Sequence, residues 1–163
     1  MKFDPLAILG VLRTNGVDFV VIGGMAAAIH GSPSVTGDLD ICYSREKGNA
    51  KKLVEALKSM DARLRGAPQD VKFLLDAKTI EMGDHFTFST DFGDFDCLGT
   101  PAGFPGYAQL ADGADLIDFD GLQVAVASLE DLIGMKRASG RPKDRVELEI
   151  LGALRDEIDK NKG

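Results

Sequence analysis

The chain has 163 residues, a length typical of one domain with a buried core. Its 44% hydrophobic and 28% charged residues are typical of a globular protein and exclude a disordered or fibrous chain. The net charge of −7 disfavours broad, sequence-independent binding of nucleic acid, which requires a positive surface. We therefore expect residues 1–163 to form a single domain.

Two features of the sequence predict where the protein is located. No apolar run reaches the length needed to span a membrane, and the N-terminal stretch Met1–Pro5 lacks the charged and apolar regions of a signal peptide. Cys42 and Cys97 both follow apolar runs, so we expect buried thiols rather than a disulfide. The sequence thus predicts a cytoplasmic protein with no membrane segment.

The first predicted elements are a helix, a strand and a second, short helix. An apolar stripe predicts a helix over residues 4–15, which Asn15-Gly16 ends. The continuous apolar run from Phe19 to Ile22 predicts a strand buried on both faces. Gly23-Gly24 ends this strand, and the residues from Met25 to Ile29 predict a short helix directly after the glycine turn.

The next predicted strand begins with Asp38-Leu39-Asp40-Ile41. Alternation along a strand places the side chains of Asp38 and Asp40 on one face and directs those of Leu39 and Ile41 into the core. Two adjacent carboxylates repel one another unless a cation lies between them, and hard oxygen ligands favour Mg²⁺ or Mn²⁺. A glycine turn before a helix offers free N–H groups that suit a phosphate. This segment therefore predicts a site for a metal ion and a nucleotide.

The rest of the chain predicts further alternation of helices and strands. The expected elements are a helix over 45–60, strands over 71–75, 86–88 and 93–99, a short helix over 106–110, a hairpin of 116–119 with 122–126, and helices over 128–138 and 144–160. The predicted fold class is α/β, with a small mixed sheet flanked by helices.

A third carboxylate on a neighbouring strand would help to bind a second metal ion beside Asp38 and Asp40, and it could also accept a proton. Asp94 and Asp96 share one face of the strand at 93–99, and both are candidates. We choose Asp96 because it lies deeper in the strand, between Phe95 and Cys97, whereas Asp94 adjoins Gly93.

The glycine pair, the gap that follows it and the Asp-apolar-Asp-apolar strand resemble the signature of the DNA polymerase β-like nucleotidyltransferase superfamily. The segment from Ile22 to Ile41 is similar to small bacterial members, which include the AbiEii-type and MenT-type toxins of toxin–antitoxin pairs and the minimal nucleotidyltransferases. The resemblance covers residues 17–42 and 93–147. It implies transfer of an NMP from an NTP to an acceptor hydroxyl, with Mg²⁺ or Mn²⁺ as the cofactor.

The resemblance also implies roles for individual residues. The implied catalytic carboxylates and metal ligands are Asp38, Asp40 and Asp96, and the implied nucleotide-binding residues are Gly23, Gly24, Thr36, Lys136 and Arg141. Lys136 lies on a helix in the stretch from Ser128 to Asp144, which resembles the C-terminal element of the same proteins. Relatives often carry an arginine four residues before the first aspartate, where this chain has Ser34, so one bidentate phosphate contact is missing.

The acceptor of the nucleotide stays open at this point. A tRNA 3′ end, a protein side chain and a small molecule such as an aminoglycoside are the alternatives, and the resemblance to toxins implies a cognate partner protein. The chain would instead be an inactive interaction or regulatory protein if it kept the fold without turnover. A complete set of three carboxylates argues against that alternative, whereas Ser34 favours it.

Overall fold

The protein is described here by a computed structural model that covers residues 2–67, 75–142 and 144–162. Most of the strand predicted over 71–75 lies outside the described residues. Among the helices in these ranges, none combines the length and the apolar character needed to cross a bilayer.

Seven helices occur in the described part of the chain. They are α1 (Pro5–Thr14), α2 (Gly23–Ile29), α3 (Lys47–Ser59), α4 (Ala77–Met82), α5 (Tyr107–Gly113), α6 (Leu129–Ser139) and α7 (Asp144–Lys162). Local sequence explains several of their ends. The side chain of Asp4 caps α1, with Pro5 in its first turn, and the hydroxyl of Ser128 accepts a hydrogen bond from the Asp131 amide at the start of α6. Gly140 adopts the left-handed conformation that ends α6.

One mixed sheet contains the seven strands that the described residues form. The strands are β1 (Phe19–Ile22), β2 (Asp38–Tyr43), β3 (Arg63–Leu64), β4 (His85–Thr90), β5 (Gly93–Leu98), β6 (Asp115–Phe119) and β7 (Leu122–Val126), in the order β3-β4-β5-β2-β1-β7-β6. β2 runs parallel to β5, β1 runs parallel to β7, and the other neighbours are antiparallel. The predicted α/β fold with a mixed sheet and flanking helices is confirmed.

The neighbouring strands β1 and β2 differ in burial. All four residues of β1 are buried, as the apolar run predicts. In β2, Leu39 and Ile41 have no exposed surface, whereas Asp38 and Asp40 are only half-buried. The alternation that the sequence predicts for this strand is therefore present.

Two local features refine the predicted elements. Helix α2 begins at Gly23 rather than Met25, so the glycine pair forms the first residues of the helix instead of a separate turn. The hairpin of β6 and β7 turns at Asp120 and Gly121, whose φ angles of 53° and 93° are those of a primed two-residue turn. Cys42 and Cys97 are buried free thiols, as expected.

Candidate active site

Three carboxylates from two adjacent strands come together on one face of the sheet. The parallel register of β2 and β5 places Asp38 opposite Asp94 and Asp40 opposite Asp96. An oxygen from each of Asp38, Asp40 and Asp96 lies within 4.8 Å of the other two. Asp96 is thus the β5 carboxylate that joins the first pair in this cluster, and its selection as the catalytic residue stays a prediction.

The electrostatics of this cluster fit a hard divalent cation. Burial, followed by repulsion from Asp38 and Asp96, raises the pKa of Asp40 from 3.8 to about 7, and the Arg65 guanidinium lowers it only in part. The pKa is raised because the side chains are only partly exposed to water and negative charges lie close together there. Carboxylate oxygens are the ligands that Mg²⁺ and Mn²⁺ prefer, so the donor set is suited to either ion.

Gly23 is required where it is because Asp40 packs directly against its backbone. A Cβ atom at this position would lie 2.9 Å from Asp40 Cγ, and the φ angle of +70° is in the left-handed region that favours glycine. Gly24 approaches Thr36 in the same way, since a Cβ atom there would lie 3.1 Å from the Thr36 hydroxyl. The glycine pair therefore allows α2 to begin against the loop and strand that carry the candidate ligands.

Thr36 contacts Asp38, the first carboxylate of the cluster. Its hydroxyl lies 3.1 Å from both the carbonyl oxygen and the carboxylate Oδ1 of Asp38, and it can donate to either. The sequence predicts Thr36 as a nucleotide-binding residue. In the structure its described hydrogen bonds orient Asp38, at the wall of the same cleft.

A cleft of about 350 Å³ opens beside the carboxylates. Seven of the eight predicted site residues line it, namely Gly23, Gly24, Thr36, Asp38, Asp40, Lys136 and Arg141. The eighth, Asp96, adjoins the cleft through its contact with Asp40. Apolar residues also line the cleft, among them Leu98, Pro101, Met135 and Leu151. Residues far apart in the sequence therefore meet around one space of ligand size.

Lys136 and Arg141 are fixed at the cleft wall by a buried carboxylate that sequence reasoning did not single out. Asp144 is 2% exposed, and it accepts hydrogen bonds from Lys136 Nζ at 3.2 Å, from Arg141 Nε at 3.0 Å and from the Ser139 hydroxyl. The bond from Ser139, together with those from Arg141 and Lys136, lowers the pKa of Asp144 well below its usual range. In the sequence, Asp144 begins the last predicted helix directly after a basic turn, and this position could have indicated a partner for the basic residues.

Ser34, where the sequence resemblance leads us to expect an arginine, faces α7. Its hydroxyl lies 3.4 Å from Glu147 Oε1, and both residues line the cleft. This edge of the cleft is therefore neutral to acidic, whereas the edge with Lys136 and Arg141 is basic.

Arg65 is a second residue that the sequence analysis missed. Its Nη2 lies 2.7 Å from Asp96 Oδ1, and its Nε lies 3.5 Å from Asp94 Oδ1. No sequence pattern marks it, because it follows the two-residue strand β3 in a stretch with weak periodicity.

Known proteins resemble this chain in structure rather than in sequence. No protein-family model matches the sequence. No curated protein matches it either. The solved structures that resemble it include the lincosamide antibiotic adenylyltransferase LnuA with lincomycin bound, at 13% identity and a TM-score of 0.63, over 94% of this chain and 99% of that one.

Two further structures extend this comparison. ANT(2″)-Ia in complex with adenylyl-2″-tobramycin shares 15% identity at a TM-score of 0.53, over 96% of this chain and 95% of that one. A candidate nucleotidyltransferase of Thermotoga maritima shares 16% identity at a TM-score of 0.54, over 96% of this chain and 91% of that one. At these identities the likeness concerns the fold, and the chain has the fold of a nucleotidyltransferase.

Proposed function

We propose that the protein is a metal-dependent nucleotidyltransferase that transfers an NMP from an NTP to an acceptor hydroxyl. The observation that carries this proposal is the meeting of Asp38, Asp40 and Asp96 within 4.8 Å, beside a cleft that also contains Lys136 and Arg141. Carboxylates for a cation and basic groups for phosphates are the two requirements of phosphoryl transfer, because catalysis depends mainly on positioning and electrostatics.

The NTP would occupy the cleft with its phosphates toward the basic wall. Gly23 and Gly24 line the cleft at the start of α2, where their backbone N–H groups would contact the terminal phosphates. Lys136 and Arg141, held by Asp144, offset the negative charge that grows on the departing pyrophosphate. The cleft volume of about 350 Å³ is within the range of small-molecule sites.

The carboxylates would divide the remaining tasks. Asp38, Asp40 and Asp96 would hold the cation, and Mg²⁺ in that place supplies Lewis-acid polarisation of phosphoryl oxygens and neutralises charge. Asp96 also accepts the proton of the acceptor hydroxyl, whose oxygen forms a bond to the α-phosphorus. The bond from that phosphorus to the bridging oxygen breaks, and pyrophosphate leaves.

Among the open acceptors, a small molecule has the best support. LnuA is described with lincomycin and ANT(2″)-Ia with adenylyl-2″-tobramycin, so small hydroxylated acceptors occur within this fold. The net charge of −7 also disfavours a polyanionic acceptor such as tRNA. A protein acceptor, a cognate partner and a role in a toxin–antitoxin pair derive only from the sequence resemblance.

The proposal is tested by pyrophosphate release. The protein is incubated with a mixture of NTPs and cell extract, with Mg²⁺ or with chelator, and the Asp38→Asn variant is the matched control. We expect release that requires both the metal and Asp38. Equal release from the wild type and from Asp38→Asn would overturn the proposal.

The same assay separates the enzyme from its main alternative, an inactive protein that keeps the fold for interaction. Ser34 favours this alternative, because the expected arginine is absent and Glu147 lies beside the position. A wild-type protein that binds NTP without any release of pyrophosphate in the presence of extract would support the inactive role.

A further inference from the structure

A guanidinium group lies against the candidate third carboxylate. Arg65 directly follows β3, and its amide donates to the Thr87 carbonyl oxygen, which extends the pairing of β3 with β4. Its side chain crosses β4, where Nη2 donates to the Phe88 carbonyl oxygen at 2.8 Å and to Asp96 Oδ1 at 2.7 Å. A single nitrogen therefore links the backbone of β4 to the carboxylate on β5.

The contact with Asp96 is stronger than the one with Asp94. Arg65 Nε is buried and has no hydrogen-bond partner among the described residues, and it lies 3.5 Å from Asp94 Oδ1, outside hydrogen-bond geometry. The Asp94 side chain is 46% exposed, whereas that of Asp96 is 15% exposed. Shorter distance and lower exposure both strengthen an ion pair. A short, charge-assisted hydrogen bond restrains the carboxylate of Asp96 in one orientation.

The other cations near the site have different partners. Lys136 and Arg141 both bond to Asp144, which is the first residue of α7. Within the described residues, Arg65 is the cation that forms an ion pair with Asp96. The two basic groups of the cleft and the Arg65 guanidinium therefore contact different carboxylates.

We propose that Arg65 is a positioning residue, which holds the Asp96 carboxylate where it accepts the proton of the acceptor hydroxyl. This inference rests on the proposed function. A general base must lie within hydrogen-bond distance of its proton, and a misplacement of about 1 Å costs on the order of 100-fold in rate. Loss of Arg65 therefore lowers kcat. The KM for NTP changes little because Lys136 and Arg141, which bind phosphate in the proposed function, do not contact Arg65. Asp38 and Asp40 also keep their places as ligands of the cation.

Arg63, in β3, provides a matched control. It lies two residues before Arg65, its side chain is 76% exposed, and it pairs with Asp61 at 2.8 Å. Arg63→Gln removes an arginine and an ion pair from β3 without touching Asp96. Differences between Arg65→Gln and Arg63→Gln thus report on the contact with Asp96 rather than on charge or strand stability.

The kinetic experiment measures kcat and the KM for NTP in Arg65→Gln, Arg65→Lys and Arg63→Gln, below their unfolding temperatures. We expect kcat to fall about 10–100-fold in Arg65→Gln, as for other groups that orient a catalytic side chain, with the KM for NTP within about twofold of wild type. Arg65→Lys should be intermediate, because lysine keeps the positive charge but replaces the planar guanidinium with a compact ammonium on a flexible stem. Equal kcat in Arg65→Gln and Arg63→Gln, or a raised KM for NTP, would overturn the inference.

A second measurement needs no activity, so it separates failure of this inference from failure of the proposed function. A double-mutant cycle in thermal unfolding combines Arg65→Gln with Asp96→Asn, and a control cycle combines Arg63→Gln with Asp61→Asn. We expect a larger coupling for the first pair, since it is less exposed. A coupling no larger than that of the control pair would remove the contact on which the inference depends. A wild type that never releases pyrophosphate would instead overturn the proposed function.

Discussion

The carboxylate of Asp40 lies in the acidic cluster with Asp38 and Asp96, and it packs against the backbone of Gly23. Its raised pKa means that the folded chain without metal resists ionisation of this side chain. A group that opposes folding in its charged form is unlike an ordinary structural carboxylate, which gains a partner on folding. The negative charges that repel one another in the metal-free chain attract a divalent cation placed between them.

Asp40→Asn should therefore separate stability from activity. Removing the charge relieves repulsion, so we expect the variant to be more stable than the wild type in chelator, on the order of 1 kcal/mol at pH 7. We expect it to lose metal-dependent release of pyrophosphate. Thermal unfolding and the release assay check the two expectations. The exposed Asp112→Asn serves as the control, and it should change neither property. Full activity in Asp40→Asn would contradict the assignment of this residue.

The choice between Asp96 and Asp94 is also decided by single substitutions. Asp96 lies in the cluster and is mostly buried, whereas Asp94 is outside it and half exposed. We expect Asp96→Asn to lower kcat by about 100-fold or more, which is the range for a general base, and Asp94→Asn to keep most activity. The measurement is the initial rate of both variants at saturating NTP. If Asp94→Asn were the inactive variant, Asp94 would be the third carboxylate.

At the scale of elements, the start of α2 depends on two glycines that bring a helix against a strand. Gly23→Ala should strain the left-handed backbone and push the new Cβ into Asp40. We expect a loss of about 1–3 kcal/mol in the free energy of unfolding, together with loss of activity. Chemical denaturation and the release assay measure both effects.

Gly152→Ala provides the control for that substitution. Gly152 lies inside α7, where a Cβ atom would have nothing within 4 Å and no positive φ is required. Alanine should stabilise this helix by about 0.5–1 kcal/mol and leave activity unchanged. A Gly23→Ala variant as stable and active as Gly152→Ala would show that the close approach of Asp40 to Gly23 is unnecessary.

The contrast between β2 and β3 shows which parts of the site sequence can predict. β2 carries a local pattern, alternating aspartate with apolar residues, so its face and its two carboxylates follow from strand geometry alone. Arg65 follows a two-residue edge strand and meets Asp96, 31 positions away, only through the order of the sheet. Asp144 likewise has its role through contacts with α6. Local periodicity predicts elements, whereas these partners depend on tertiary packing.

Asp144, at the junction of α6 and α7, should make the stability of the protein depend on pH. The pKa of Asp144 is lower in the folded chain than its ordinary 3.8, so the unfolded chain binds more protons between the two values. The stabilisation from Asp144 is complete above the unfolded pKa and is lost as pH falls through the folded one. Asp144→Asn should cost about 1–3 kcal/mol at pH 7 and progressively less as the pH is lowered below 4.

Denaturant unfolding of the wild type and of Asp144→Asn at several pH values checks this expectation. The exposed Asp159→Asn, on the same helix, should show no such convergence with the wild type at low pH. A difference between wild type and Asp144→Asn that stays constant from pH 7 to pH 3 would mean that the ion pairs with Lys136 and Arg141 contribute nothing.

For the whole molecule, the distribution of charge favours one class of acceptor. The chain has a net charge of −7, and the basic groups in the cleft, Lys136 and Arg141, lie against the buried Asp144. They suit the phosphates of one nucleotide but do not form the broad positive surface that a nucleic acid requires. Glu147, which also lines the cleft, adds a further negative charge that repels a polyanion.

We therefore expect labelled nucleotide to appear in small molecules. Cell extract is divided by ultrafiltration into low-mass and macromolecular fractions, and each is incubated with wild-type protein, labelled NTPs and Mg²⁺ at low and high KCl. Label should accumulate in the low-mass fraction, and Asp38→Asn should abolish it. An RNA acceptor would instead give ribonuclease-sensitive label in the macromolecular fraction. Its transfer rate should rise with KCl, because salt screens repulsion between like charges over about 10 Å at 0.1 M. Protease-sensitive label would identify a protein acceptor, and either macromolecular result would contradict the small-molecule assignment while leaving nucleotidyl transfer intact.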